Sequence, residues 1–357
     1  MHQENMNQYI VIFILIAFLA FVTTYFKKRI TNNILLFIIS VILILFAGTR
    51  FEVGYDYFNY EYIYNNIKLG INSFIEPFFI LVNKISHYIG IEYTGLVFAM
   101  AFASISLKTK FISNFSVIPL LSLLLYYSRI FLIYDFGQIR QGLALGIVLF
   151  SLPYILNKDI KRFLFIILLA SLFHFSAAFF TPIYFINNIK LKRSGILYIL
   201  LLSCVIAFMD LKPLIINLGS FFLPGGVIEK LLFYSVTEDK LGLTFGILLR
   251  VGIIIICITL FWKKIKENNL LKTIFNIYLW GTFFYLCLNS FPQIGNRGSM
   301  YFQQFEIVLF PHLILYLSKN RLLQFLFLLF IIFYCYWGFY TALNSLDVFI
   351  PYNSILF

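Results

Sequence analysis

Asn33-Ile-Leu-Leu-Phe-Ile-Ile-Ser-Val-Ile-Leu-Ile-Leu-Phe-Ala-Gly-Thr49 runs directly into Arg50-Phe-Glu-Val-Gly-Tyr-Asp56. A bilayer-spanning helix needs about 20 predominantly apolar residues, with a range of roughly 17–25. The first stretch meets that requirement. The second places an arginine, a glutamate and an aspartate where the helix should end. Working outward, the same alternation of apolar run and polar mouth recurs. Spans are expected near Tyr9–Phe26, Asn33–Thr49, Tyr93–Leu107, Val117–Ile133, Gln138–Leu156, Phe163–Phe185, Ser194–Met209, Leu241–Trp262, Leu271–Asn289, Tyr301–Leu317 and Leu322–Asn344. The chain is 61% hydrophobic and 12% charged, with a mean hydropathy of +0.91. A soluble domain carries roughly 25% charged residues. The expected fold is all-α, a polytopic transmembrane helix bundle of about 11–12 spans. Residues 1–357 form one integral membrane domain, and nothing resembles the short alternating strands of a barrel.

Two stretches do not read as simple spans. Glu76–Ile89 is short and carries Lys84 and His87, so it reads as re-entrant or interfacial. Pro213–Tyr234 contains Leu-Pro-Gly-Gly at 223–226, which makes residues 211–240 an outer or re-entrant loop. Lysines and arginines gather in cytoplasmic loops. Lys27–Arg29, Lys108 with Lys110, Lys158–Arg162, Lys263–Lys266 and Lys319 with Arg321 are therefore expected inside. Parity then puts the polar loop 50–75, Tyr134–Gln138 and Asn289–Ser299 on the outer face. Lys190–Arg193 breaks the rule. Met1–Gln8 has no basic residue and no small-x-small site follows Tyr9–Phe26, so no cleavable signal is expected. The net charge of +12 is dispersed over short loops and forms no nucleic-acid face. No internal repeat supports an inverted-repeat transporter. Cys204, Cys257, Cys287 and Cys335 lie in or beside apolar stretches without metal-ligand spacing and read as small hydrophobes.

The polar clusters carry the chemistry. Arg50 can fork onto phosphate oxygens, or snorkel and pair with a loop carboxylate. Asp56 can orient it or accept a proton. Tyr55, Tyr57, Tyr60, Tyr62 and Tyr64 suit an interfacial belt, or stacking on sugar rings. Arg140 and Gln141 open an apolar helix, where the dipole disfavours a cation. Something anionic, a bound phosphate or Asp135, should offset Arg140, and Arg129 can face the same cavity. His174 lies inside Phe163–Phe185 with Ser176, Thr181 and the kink-forming Pro182. It can bond a backbone carbonyl or move a proton. Arg297 opens the Tyr301 span, and Glu306 lies deeper as a neutral acid, an arginine partner or a base. No P-loop, dinucleotide fingerprint or GxSxG is present.

In order and spacing, these elements resemble the EpsG-like branch of the Wzy-type polysaccharide polymerases. The elements are Arg50-x3-Gly54-x-Asp56 with Tyr60, and Glu76-Pro77-x-Phe79. They continue with Ile139-Arg140-Gln141-Gly142-Leu-Ala144, Ala170-Ser-Leu-Phe-His174-x-Ser176-Ala177 with Pro182, and Asn296-Arg297-x3-Tyr301. They span roughly residues 33–311. One departure is that Ser151 and Val308 stand where some O-antigen polymerases have a glycine eleven positions after each arginine. The resemblance implies a GT-C-like polymerase or ligase architecture in the bacterial cytoplasmic membrane. It implies an oligosaccharide on polyprenyl diphosphate as substrate, the bilayer as surroundings and a chain-length regulator as an optional partner.

The reaction expected is polymerisation of those units at the outer face into O-antigen, capsule or exopolysaccharide, without metal or other cofactor. Arg50, Arg140 and Arg297 would hold the diphosphate. His174 is the first choice of base, with Asp56 and Glu306 behind it. Gln141, Tyr60, Glu76 and Tyr301 would contact glycan. The alternatives are a lipid-linked oligosaccharide flippase, an O-antigen ligase and a membrane acyltransferase. The topology has a direct check. Cysteines substituted at Asn59, Asn72 and Gly295 should react with an impermeant maleimide in spheroplasts, and those at Lys28, Asp159 and Lys264 should not. Inverted labelling would place the polar loops inside.

Overall fold

The computed structural model describes residues 7–25, 29–71, 75–222, 225–237, 239–240, 242, 244–344 and 348–356. Lys28, Asn72, Leu223 and Pro224, on which part of the topology reading rests, lie outside them. The described residues are helical, with only an isolated bridge between Arg50 and Ser354. In chain order the helices are α1 (Asn7–Tyr25), α2 (Arg29–Gly48), α3 (Tyr57–Lys68), α4 (Pro77–Tyr88), α5 (Tyr93–Phe115) and α6 (Pro119–Tyr126). Helix α6 continues into an 11-residue π-helical segment, Tyr127–Gly137. Then follow α7 (Ile139–Leu149), α8 (Leu152–Leu156), α9 (Ile160–Ser171), α10 (Ile183–Ile186), α11 (Arg193–Phe208), α12 (Lys212–Phe222) and α13 (Gly225–Thr237). The last are α14 (Phe245–Leu260), α15 (Trp262–Glu267), α16 (Asn269–Cys287), α17 (Pro292–Gln303), α18 (Glu306–Tyr316) and α19 (Arg321–Asn344). They form two compact units, Met1–Ala178 with Glu306–Phe357, and Phe179–Phe305.

Among the described residues, 6 helices are long and apolar enough to cross a membrane, or up to 7 if the bent pair α11–α12 is one span. Shorter apolar helices cover Asn32–Gly48, Phe175–Ile186, Phe245–Leu260 and Glu306–Tyr316. Phe18, Phe37 and Phe165 are each more than 60% exposed on helix surfaces. Apolar surface on this scale needs a partner phase, and lipid supplies it. The chain is thus an all-α, multi-pass membrane protein. Helix α4, at 12 residues, is about 18 Å long, too short to cross a bilayer core of about 30 Å. It matches the interfacial reading of Glu76–Ile89. Helices α11 and α12 meet at 97°.

The expected span Phe163–Phe185 is broken. Helix α9 stops at Ser171, and a 3₁₀ turn covers Phe175–Phe180. Pro182 stands as the N-cap of α10 beyond that turn. His174 therefore lies at a break between helices rather than inside one.

The first unit is organised around Lys108. Its ammonium is fully buried in α5 and donates to Asp135 Oδ1 at 2.5 Å, Ser104 Oγ at 2.9 Å and the Gly142 carbonyl at 2.7 Å. Asp135 also accepts from Ser104 and, at 2.7 Å, from the Tyr126 hydroxyl. This corrects two expectations. Lys108 is not a cytoplasmic loop residue, because α5 runs on to Phe115. It touches Asp135, so the two lie at one depth and cannot mark opposite faces. The network also excludes Asp135 as the anion that offsets Arg140. Gly142 lets α7 approach the π-helical segment, since a Cβ there would lie 2.6 Å from the Tyr134 carbonyl oxygen.

A second feature of this unit is the chain after α19. Its backbone lies against the Arg50 loop, with Phe51 N–H to Asn353 O at 3.0 Å, Gly54 N–H to Val348 O at 3.0 Å and Ile355 N–H to Thr49 O at 2.8 Å. Tyr352 stacks on Phe46 with centroids 4.4 Å apart. In the second unit, α16 packs against α11, α14 and α17. There Asn276 donates to Asn187 Oδ1 at 3.1 Å, and Arg250 lies over the Tyr285 ring at 4.3 Å.

These contacts set a stability expectation. Lys108→Met leaves Asp135 buried without its cation and should cost about 3–5 kcal/mol. The pair Lys108→Met with Asp135→Leu should recover much of that loss. Thermal unfolding of the detergent-solubilised variants measures both, and a double variant no more stable than the single one would remove the ion pair from its central place.

Candidate functional site

Arg140 is the second residue of α7. Glu76 stands at the N-cap of α4, just before Pro77 at the first helical position. The two side chains form a close ion pair, 18% and 7% exposed respectively. The guanidinium carbon sits 5.3 Å from the Tyr60 ring centroid and 5.5 Å from that of Phe79. The Tyr60 and Asp56 side chains also act on Arg140 electrostatically. The anion expected beside Arg140 is thus Glu76, supplied by the short helix. Arg140 Nε is buried without a hydrogen-bond partner. A guanidinium has five donors, so it can hold Glu76 and still offer protons elsewhere.

Glu76 also reaches the His174 break. Its Oε1 accepts the Phe175 N–H at 3.3 Å, and Phe78 N–H donates to the Leu172 carbonyl at 3.1 Å. The break leaves backbone donors without helical partners, and a carboxylate satisfies one of them. His174 Nδ1 lies 2.6 Å from Ser176 Oγ. Three motifs far apart in sequence therefore meet in the first unit: Asp56 with Tyr60, Glu76 with Phe79, and Arg140, with the His174 loop adjoining. Helix α3 presents Phe58 and Tyr62 outward, both at least 60% exposed, while Tyr57, Tyr60 and Tyr64 are buried. The Tyr64 hydroxyl donates to Ile91 O at 2.5 Å, and burial followed by the nearby Glu92 charge pushes its pKa up.

The other expected site residues are placed differently. Arg50 is 1% exposed and donates to the Ala47 carbonyl at the end of α2, with the Phe136 ring 5.0 Å from its guanidinium carbon. A cation at a helix C-terminus is favoured by the dipole. Gly54, at φ +113°, passes so close to Phe136 that a Cβ would lie 2.6 Å from its carbonyl oxygen. Gln141 is 1% exposed and Tyr301 is 0% exposed, so neither presents surface to a glycan here. Glu306 opens α18, where it accepts the Tyr334 hydroxyl at 2.8 Å and pairs with Arg129 at 3.4 Å. Of the three roles open to it, it holds that of arginine partner. Arg129 engages Glu306 and Tyr334. Arg297 is half-buried on α17, in the second unit with Tyr301.

Sequence reasoning missed the Lys108–Asp135 pair, and it allowed Glu306 an arginine partner without identifying Arg129. A signal was available, since an ionisable residue amid an apolar run demands a partner. Ending the α5 span at Leu107 hid it for Lys108. His312 is a further histidine within an apolar helix, and its Nδ1 lies 2.9 Å from the Val308 carbonyl oxygen. Among the described residues, no three His, Cys, Asp or Glu side chains gather into a group able to hold a metal ion.

No curated protein and no solved structure matches the chain. A family pattern does, over residues 33–354. That range takes in Arg50, Glu76, Arg140, His174 and Arg297, the whole second unit and most of the first. By this match over most of its length, the chain belongs to the EpsG family.

Proposed function

We propose that this protein is a polysaccharide repeat-unit polymerase, a glycosyltransferase that joins oligosaccharides carried on polyprenyl diphosphate at the outer face of the cytoplasmic membrane. Membership of the EpsG family supports a place in polysaccharide biosynthesis. The observation that carries the reading is Arg140, a partly exposed guanidinium fixed between two rings at the start of an apolar helix. The donor is the growing chain on its lipid diphosphate. A hydroxyl of a new lipid-linked unit attacks its reducing-end carbon, and the diphosphate leaves. Charge develops on phosphate oxygens, which fixed cations in a partly dry site stabilise most effectively. The exposed rings of α3 offer faces for sugar stacking, and the apolar helix surfaces suit the polyprenyl tail. Arg297 is a second candidate for the diphosphate. Arg50, enclosed at the end of α2, fits a structural part.

Deletion of the gene followed by glycan profiling tests the reaction. A polymerase leaves single capped repeat units in place of polymer. Loss of all surface glycan, with lipid-linked units retained inside, would mean a flippase.

The clamp has its own test. Arg140→Ala and Arg297→Ala should abolish polymer at normal protein levels. Lysine at either position should restore little, because an ammonium cannot reproduce the planar fork. Near-normal polymer from both alanine variants would remove phosphate clamping from the mechanism.

A further inference from the structure

The geometry points to Glu76 as the group that takes the acceptor's proton, through an oxygen that Arg140 covers until the diphosphate draws Arg140 away; this rests on the polymerase reading above. The buried acids of the first unit differ in what holds them. Both oxygens of Asp135 are occupied, by Lys108 with Ser104 and by Tyr126. Both oxygens of Glu306 are occupied, by Arg129 and Tyr334. Lys108 and Arg129 are not among the cations that the reading above gives to the diphosphate, so these two acids keep their partners through the step. Glu76 is divided. Oε1 is anchored on the Phe175 N–H, and Oε2 faces Arg140. One oxygen fixes the carboxylate in place, and the other depends on the cation that the leaving group needs. Glu76 also stands at an N-cap without using its side chain to cap its own helix. A carboxylate there ordinarily bonds the first free N–H groups of that helix. This one turns to the site instead.

The step balances. The acceptor oxygen forms a bond to the donor's anomeric carbon. The bond from that carbon to the diphosphate oxygen breaks, and its electron pair leaves with the diphosphate toward Arg140. The hydroxyl proton passes to Oε2 of Glu76. The oxygen that Arg140 covered is then open to the acceptor hydroxyl, so the base is uncovered as the leaving group forms. Release of the diphosphate returns Arg140, and Glu76 yields its proton to water as the ion pair re-forms.

The test uses the purified full-length protein in lipid vesicles. Binding is read with a polyprenyl diphosphate that carries no sugar. Turnover is read with lipid-linked repeat units extracted from a strain lacking the protein. Glu76→Gln keeps an acceptor for the Phe175 N–H and removes the base. Its turnover should fall by about 10²–10⁴. Its affinity for the diphosphate should rise by roughly twofold to tenfold, because Arg140 no longer shares its charge. A merely structural Glu76 would lose binding and turnover together. Glu76→Ala with added formate should regain part of its turnover. Turnover of Glu76→Gln within about threefold of wild type would overturn the proposal. So would a His174→Gln variant that binds normally but loses turnover by about 10² or more, whether or not the Glu76 variants fold. Arg140→Gln tests the underlying reading separately. Unchanged diphosphate binding there would dismiss the clamp and leave Glu76 a structural partner.

Discussion

A charge placed among apolar helices has to be answered by another, and the first unit is built on that constraint. Lys108 answers it most completely, because all three ammonium protons have acceptors, from α5 itself, the π-helical segment and α7. The cost of taking two ions out of water is recovered only when the geometry is close and the remaining valences are filled. Here they are filled. The result is a rigid junction two residues from Arg140, with Gly142 as the point of closest approach. Each buried pair also joins distant parts of the chain. Lys108 and Asp135 are 27 positions apart, Arg140 and Glu76 are 64, and Arg129 and Glu306 are 177. In a bundle whose helices face lipid, such pairs fix which helices are neighbours. Hydrophobic burial discriminates less there, since lipid tails are as apolar as leucine.

The pairs divide by completeness. All three carboxylates have both oxygens occupied by partners within the unit, and the difference lies with the cations. The pair at Glu76 leaves Arg140 with an unsatisfied Nε and is more exposed. Polar groups left partly satisfied in an apolar setting mark where an external ligand gains most, because the protein has already met the desolvation cost. The short helices α3 and α4 make the difference. They lie on the polar loop between α2 and α5, and bring Tyr60, Glu76 and Phe79 to one arginine.

The helical fold and the shortness of the helix within Glu76–Ile89 were legible in the sequence, as was the need of Arg140 for an anionic partner. The first rests on apolar run length, which is a local property. The meeting of the Asp56, Glu76, Arg140 and His174 motifs was legible only as a shared motif set. Their contacts depend on how α4 folds back, which no spacing along the chain encodes. The position of Arg50 at a helix mouth suits either a ligand-facing or an enclosed cation, and the structure encloses it. Its enclosure comes from the Ala47 carbonyl and the Phe136 ring, with the chain near 350 running along its loop. Lys108 was misread because the positive-inside rule assigns lysines to loops. The i,i+4 spacing of Ser104 and Lys108 on one helix face was the available clue. The break at His174 had Pro182 as its signal, but not its location eight residues earlier.

The chain after α19 pairs with the Arg50 loop, and the first unit is closed by α18 and α19, which follow the whole second unit in the sequence. Biosynthesis is therefore out of step with assembly. Thr49 and Ser354 share a hydrogen bond across 305 positions. At about 5–20 residues per second, the ribosome delivers the second roughly 15–60 seconds after the first. During that interval α1, α2 and α5 must wait in the membrane with Arg50 uncovered and Arg129 without Glu306. The early helices are thus natural clients for the insertion machinery, and fusions or truncations at the carboxyl end act on the part of the protein made first.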